Sequence, residues 1–320
     1  MVLKGVARLL APSGPKARLS ILIFHRVLPA MDPLFPGEQY VNRFDETLRW
    51  IGRWFRVLPQ DEAIARLAGG TLPSRSAAIT FDDGYADNAT HALPLLQRHG
   101  MTATFFIATS FLNGGRMWND SIIESVRLCE KGSLDLRDAG LGVHPLGSIA
   151  QRQATIASLI GHIKYLDTQA RLDAVARLEH QAEVQLPTDL MMSDLQVRQL
   201  RDAGMQIGAH TCSHPILARL PDEAAWQEIA DGKAALESIV AAPVTMFAYP
   251  NGKPNTDYLA AHVRMVKEAG FTAAVSTASG VSTSASDAYQ LPRFTPWNRS
   301  RTRFGLSLVA NLRHVHSEAV

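Results

Sequence analysis

The chain of 320 residues holds only two cysteines, Cys129 and Cys212, far apart in sequence. That scarcity excludes a disulfide framework and leaves room for one bridge at most. No stretch approaches the roughly 18 consecutive apolar residues of a membrane span. The N-terminus also lacks the long apolar core and small-residue cleavage site of a secretory leader. Residues 1–10 are basic and mildly apolar, and Arg18 interrupts the chain before the next apolar run. The expectation is a chain not exported through a cleaved leader, either cytoplasmic or at a membrane periphery, with residues 2–10 available for a short amphipathic membrane contact. Charge of one sign is missing too: the formal net charge is +2, which gives no ground for a nucleic-acid partner. What remains is ordinary globular composition, long enough for one large domain or two small ones.

Against that background one stretch stands out, Ala77-Ala78-Ile79-Thr80-Phe81-Asp82-Asp83-Gly84-Tyr85. A short apolar run, read as a buried strand, ends in two carboxylates, a glycine and an aromatic. Neighbouring side chains on an extended chain point opposite ways, so Asp82 and Asp83 share a site only if the backbone is already turning there. Adjacent carboxylates repel, and a cation relieves that cost. A solvated Asp-Gly turn is the plainer alternative. A second apolar run, Met205-Gln206-Ile207-Gly208-Ala209, ends in His210-Thr211-Cys212-Ser213-His214-Pro215. Two histidines with three residues between them converge on one ion in a helix or a tight loop. The alternative is a pair of surface histidines. Taken together, a carboxylate and two imidazoles make three protein ligands with a position left for water, as catalytic zinc requires. Cys212, between the histidines, is a less favoured ligand.

The rest of the chain alternates strands and helices. Strands are expected at residues 19–24, 77–82, 102–108, 205–209, 244–249 and 271–276. Helices are expected at 44–55, 61–67, 88–99, 193–202, 221–240 and 258–269, with a loop at 29–40 and a short mixed helix at the C-terminus. From about 113 to 190 helical patterns dominate, at 122–129, 149–166 and 168–184, with a polar, glycine-containing stretch between the first two. This reads as a helical insertion: a lid, a partner surface or a structural decoration. Repeated strand–helix units argue a parallel sheet. His25, Asp82, Asp83, His210 and Tyr249 all sit at the carboxyl ends of strands, and five such ends favour an incomplete (β/α) barrel of about seven strands over an open sheet. The domain is expected at 19–298, after a basic segment 1–18 and before a tail 299–320.

At the level of motifs the chain resembles the polysaccharide deacetylases, the NodB-homology or carbohydrate esterase family 4 domain. Thr80-Phe81-Asp82-Asp83-Gly84-Tyr85 is similar to the family's first motif, His210 to Pro215 to its second, and Phe247-Ala248-Tyr249-Pro250-Asn251-Gly252 to its groove motif. The resemblance implies a distorted β/α barrel, a divalent metal, usually zinc, and hydrolysis of N-acetyl groups on amino-sugar polymers. Carried over by position, Asp83, His210 and His214 would hold the metal. Asp82 would be the general base, and the Tyr85 N–H would donate to the oxyanion. Two departures are visible. Met246 and Ala248 stand in the neighbourhood of the family's groove arginine, for which Arg293, in Leu291-Pro292-Arg293, is the candidate substitute. No late Leu-x-His motif carries a general acid, since His314 and His316 lie in a charged tail. The early strand ending in His25 instead resembles the circularly permuted branch, which includes poly-N-acetylglucosamine deacetylases of exopolysaccharide systems, and so assigns His25 the acid's role. A core histidine bonded at a strand end is the alternative.

The function expected is removal of N-acetyl groups from N-acetylglucosamine-type residues of a bacterial exopolysaccharide or capsule. Tyr249, Pro250, Trp118 and Trp297 are the candidate substrate contacts, with aromatic rings stacking on sugar faces. Membrane or exopolysaccharide-machinery contacts would fall on the N-terminus or the insertion. The competing functions are an amide hydrolase acting on peptidoglycan or a small molecule, and a glycan-binding module without catalysis.

Overall fold

A computed structural model describes residues 2–295, 300–315 and 319–320. Nine strands are found among them: β1 Leu19–Phe24, β2 Arg56–Val57, β3 Ser76–Phe81, β4 Thr104–Ile107, β5 Ser133–Leu136, β6 Gly142–Pro145, β7 Gln206–Ala209, β8 Met246–Ala248 and β9 Ala273–Val275. The helices are α1 Val2–Leu10, α2 Val41–Trp54, α3 Gln60–Ala68, α4 Leu93–Arg98, α5 Trp118–Leu128, α6 Ile149–Ile163, α7 Thr168–Ala182, α8 Asp194–Asp202, α9 Asp222–Val240, α10 Ala260–Glu268 and α11 Arg301–Asn311. The main sheet runs β1-β3-β4-β7-β8-β9, all parallel, with β2 beside the start of β3. It curls into the incomplete barrel expected. The gap between β9 and β1 is spanned by residues 291–294: Leu291 bridges to Val275 and Phe294 to Leu22.

Alternation along β3 decides which side chains see the barrel interior. Ala78 belongs to an inner cluster with Leu19, Ile21, Phe106, Met246, Ala248 and Leu291. Ala77, Ile79 and Phe81 face the other way, against α2. There Phe81 stacks between Phe24 and Phe105, at 5.5 and 4.9 Å between centroids. Burying each such ring contributes about 1.5–3 kcal/mol. Thr80 and Asp82 share the inner face with Ala78. An acid placed there is costly unless something meets it.

The insertion is more than helices. The polar stretch between α5 and α6 forms an antiparallel hairpin, β5 with β6, turning at Gly140 and Gly142, both at positive φ. In the sequence it reads only as a polar, glycine-containing stretch, because its outward residues are polar and its buried apolar ones, Leu134 and Leu136, too few to show a pattern. Together α5, α6, α7 and the hairpin build a separate apolar cluster, which also takes in Leu34 of the 29–40 loop. Arg127 of α5 grips Asp32 of that loop with two bonds of 3.0 and 2.7 Å. The insertion is thereby docked on the segment that follows His25. Helix α5 also starts at Trp118 rather than at residue 122, so Asn119 and Asp120 lie in its first turn.

Candidate metal centre and active site

Both carboxylates follow directly on β3, and the backbone turns between them. Asp83 takes φ +78°, rare for a residue with a side chain, and Gly84 takes +93°. A Cβ on Gly84 would lie 2.9 Å from the Ile107 side chain, so only glycine fits this turn. The turn separates the two acids: Asp82 points into the barrel, and Asp83 is swung toward the end of β7.

There the His210 to Pro215 segment is a tight loop, not a helix. Thr211 and His214 have positive φ. The His214 N–H donates to Thr211 Oγ1 at 3.1 Å. Glu228 of α9 accepts from the Cys212 and Ser213 N–H groups at 2.9 and 2.8 Å and from the Ser213 hydroxyl at 2.6 Å. The loop presents both imidazoles to one point, with ring centroids 4.7 Å apart. Each Nε2 stands 3.5 Å from Asp83 Oδ1. That oxygen is buried and has no hydrogen-bond partner. The three donor atoms lie within 4.8 Å of one another, and this is the only such group of His, Cys, Asp or Glu among the described residues. Cys212 is not in it, and both cysteines are free.

The donor set fits a divalent cation. His210 Nδ1 is 2.7 Å from the Ala248 carbonyl, which fixes that nitrogen as the N–H donor and leaves Nε2 free to bind. Burial pushes the His214 pKa down to about 4, so the ring is neutral, as a ligand must be. Burial pushes Asp83 up, but the facing imidazoles of His210 and His214 outweigh it and hold the carboxyl well below its ordinary range. A neutral imidazole, an anionic carboxylate with an orphaned oxygen and a second oriented imidazole are what a metal ion would satisfy.

Asp82 is met by Arg293. The guanidinium, fully buried, donates from Nη1 and Nη2 to the two carboxylate oxygens at 2.7 Å each. It also donates to the Ser276 carbonyl at 2.8 Å and to Thr80 Oγ1 at 3.2 Å. Arg293 therefore enters the interior that Met246 and Ala248 line, from the segment that closes the barrel. Burial raises the Asp82 carboxyl, and the Arg293 charge outweighs it, so the acid is held below its ordinary range.

His25 lies past β1, exposed, on the wall of a cavity of about 340 Å³ that it shares with Asp83, Tyr85, Asn119 and Asp120. Its backbone is anchored to the aspartate motif. Asn88 donates to the His25 carbonyl at 2.8 Å, and Asp87 accepts from Arg26 Nε at 2.8 Å and from the Val27 N–H at 3.0 Å. Tyr85 is buried under the Arg26 guanidinium, 4.6 Å from its ring centroid, and donates its hydroxyl to Asp120 at 3.2 Å. A second cavity, about 200 Å³, lies on the His214 side and shares Asp83 and Asn119 with the first. Trp118 lines it, with Arg171 over the ring at 5.5 Å, and so does Asn251.

Two expected sugar contacts are corrected. Tyr249 is fully buried, stacked on Tyr258 at 3.8 Å, so neither face is free for a sugar. Pro250 is buried as well, and the next residue, Asn251, reaches the cleft instead. The aromatic at a strand end was apolar packing, a distinction that local sequence does not carry. Trp297 and His316 lie outside the described residues. Asp87, Asn88 and Glu228 were not anticipated; the Asp-Asn pair just beyond Tyr85 was the only available signal.

A curled parallel sheet with an aspartate pair at one strand end and two histidines at another defines a class. The chain belongs to the polysaccharide deacetylase family, whose model matches residues 69–133 and 167–274. Those spans hold Asp82, Asp83, Tyr85, His210 and His214; His25 and Arg293 fall outside them, as does the stretch 134–166, from the hairpin through all of α6. Among relatives, YxkH of Bacillus subtilis (strain 168), whose name places it with the polysaccharide deacetylases, is 22% identical over 279 residues, 87% of this chain and 71% of YxkH. Among solved structures, the Streptococcus pyogenes deacetylase PplD, crystallised with acetate, superposes with a TM-score of 0.60 at 17% identity, covering 92% of this chain and 98% of that one. IcaB from Ammonifex degensii gives 0.60 at 19%, covering 95% and 98%. At such identities the structures show the shared fold.

Proposed function

We propose that this deacetylase is a zinc-dependent hydrolase removing N-acetyl groups from N-acetylglucosamine-type residues of a bacterial exopolysaccharide or capsule. The observation that carries the proposal is the adjacency of two differently dressed acids. Asp83 faces two imidazoles with an unsatisfied oxygen, and Asp82 beside it is gripped by an arginine.

Acetamides resist hydrolysis because the carbonyl is a weak electrophile and the amine a poor leaving group. Asp83, His210 and His214 would hold the ion, which when bound polarises the carbonyl and acidifies water. Asp82 takes the proton of the attacking water; Arg293 keeps it ionised and fixes its plane. The Tyr85 N–H, at the turn, donates to the oxygen as it gains charge. His25, on the cavity wall, protonates the departing amine, for which imidazole is suited near neutral pH. Two cavities that share Asp83 and Asn119 as wall residues suit a chain of sugars better than a small amide. Membrane or machinery contacts would fall on α1, where Leu9 is 83% exposed, or on the insertion. No helix among the described residues is long and apolar enough to cross a membrane.

Acetate release from β-1,6-linked N-acetylglucosamine oligomers, chitin oligomers and peptidoglycan fragments, with zinc present, tests the reading. Release from the first set above the others is expected. Release from peptidoglycan alone would move the substrate, and zinc binding without release from any would leave a glycan-binding module.

A further inference from the structure

The cavity on the His25 side carries more carboxylate than its cations answer. Arg26 is paired with Asp87, and Arg127 with Asp32 and Glu124. Two acids are left over. Glu38, half-buried on the cavity wall, makes no side-chain hydrogen bond or ion pair among the described residues. Asp120 is 3% exposed. It receives the Tyr85 hydroxyl on Oδ1, while its Oδ2 is buried without a partner. Leaving a buried acceptor unmet is costly, more so for a charged one, so the arrangement is explained if something else meets it. The same cavity offers apolar surface from Phe35 and Ile123, which suits the flat face of a pyranose ring.

We infer that Asp120 and Glu38 form a subsite for the primary ammonium group of an amino sugar, so that the cleft recognises a deacetylated residue as well as an acetylated one. The inference rests on the deacetylase reading and extends it. Hydrolysis of an acetamide turns a neutral nitrogen into a cation, and a neutral N-acetyl group offers no such charge. A cation in this cavity supplies the counter-charge that Asp120 and Glu38 lack. Burial pushes both carboxyls up, Asp120 to about 7, and outweighs the pull of Arg26 on each and of His25 on Glu38. The subsite lies partly on the insertion, because Asp120 comes from the first turn of α5 and Glu38 from the loop on which the insertion is docked. The ammonium has two sources: the residue just deacetylated, or a neighbour deacetylated earlier.

Titration calorimetry of the zinc-loaded protein with a glucosamine tetramer and with an N-acetylglucosamine tetramer, at a pH where the amine is protonated, tests the inference. The glucosamine tetramer is expected to bind more tightly. Asp120→Asn and Glu38→Gln should each weaken it by about 10-fold, the scale of one charged hydrogen bond, while leaving the acetylated tetramer within about 2-fold. Equal affinity for both tetramers in the wild type, or equal weakening of both in the variants, overturns it. A pentamer with one acetyl group between free amines separates the sources. Faster acetate release from it than from the fully acetylated pentamer indicates a neighbouring amine; equal rates with inhibition by the glucosamine tetramer indicate the new one. Retained amine binding without acetate release from any oligomer would overturn the deacetylase reading and leave this one standing.

Discussion

Arg293 and Asp82 lie 211 residues apart in sequence and share two parallel hydrogen bonds of 2.7 Å inside the barrel. The fork geometry holds the carboxylate plane, and the charge keeps it deprotonated. Arg293→Lys retains charge but loses the second bond. We expect kcat to fall by about 10- to 100-fold with bound zinc unchanged, measured by steady-state acetate release beside metal analysis. Arg293→Ala leaves a buried carboxylate unpaired, at a cost of about 3–5 kcal/mol in stability. Asp82 then titrates at higher pH, so the acid limb of kcat/KM should move upward. An unshifted limb would show that Asp82 is not the titrating base.

The metal centre predicts its own pH dependence. In the metal-free protein Asp83 is held below its ordinary range and His214 at about 4, below the ordinary imidazole value. Both groups take up protons more readily in the unfolded chain. Stability is therefore lost as pH falls, for His214 between about 6.5 and 4 and for Asp83 lower still. Zinc should raise the melting temperature at pH 7 and lose that effect toward pH 5, because ligand protonation competes with it. Asp83→Asn should abolish the zinc-dependent rise, as followed by calorimetry with and without chelator.

Much of this was legible locally, and the boundary is physical. β1 matches its expected span because Leu19 to Phe24 is apolar but for Ser20, and buried throughout. The spacing of His210 and His214 signalled convergence, though a loop held by Glu228 achieves it. Contacts set by chain closure were not legible from local pattern. Arg293 could be offered only through the missing groove arginine, and nothing near Asp120 distinguishes it from an acid of a helix's first turn. Tyr249 misled because stacking on Tyr258 and stacking on a sugar ask the same of a side chain.

Gly232 tests how the histidine loop is held. It lies mid-helix in α9, where alanine would ordinarily gain about 1 kcal/mol. A Cβ there would lie 2.8 Å from the Thr211 carbonyl carbon and 2.9 Å from its oxygen, so helix or loop must shift. Gly232→Ala is expected to weaken zinc binding by at least about 10-fold and to lower, not raise, the melting temperature. A stabilised variant with full zinc affinity would show that the loop yields without moving the imidazoles.

Asp120 predicts an inverse pH effect. Burial, reinforced by the Asp83 charge, pushes its carboxyl from the ordinary 3.8 to about 7, against the pull of Arg26 and the Tyr85 hydrogen bond. The folded chain thus holds this proton more tightly than the unfolded chain does. Between about pH 4 and 7 the sign is opposite to that of His214: stability falls as pH rises. Asp120→Asn removes the charge and keeps an oxygen to accept the Tyr85 hydroxyl. Relative to wild type, the metal-free variant should be about equally stable at pH 4 and more stable at pH 8. The gain should be on the order of 2–4 kcal/mol, since each tenfold change in proton affinity is worth about 1.4 kcal/mol. Zinc should narrow the difference, since an ion on Asp83 cancels part of the repulsion that raises Asp120. Urea unfolding of both proteins at the two pH values measures it. A constant difference across that range would show that Asp120 titrates normally and is better solvated than its burial indicates.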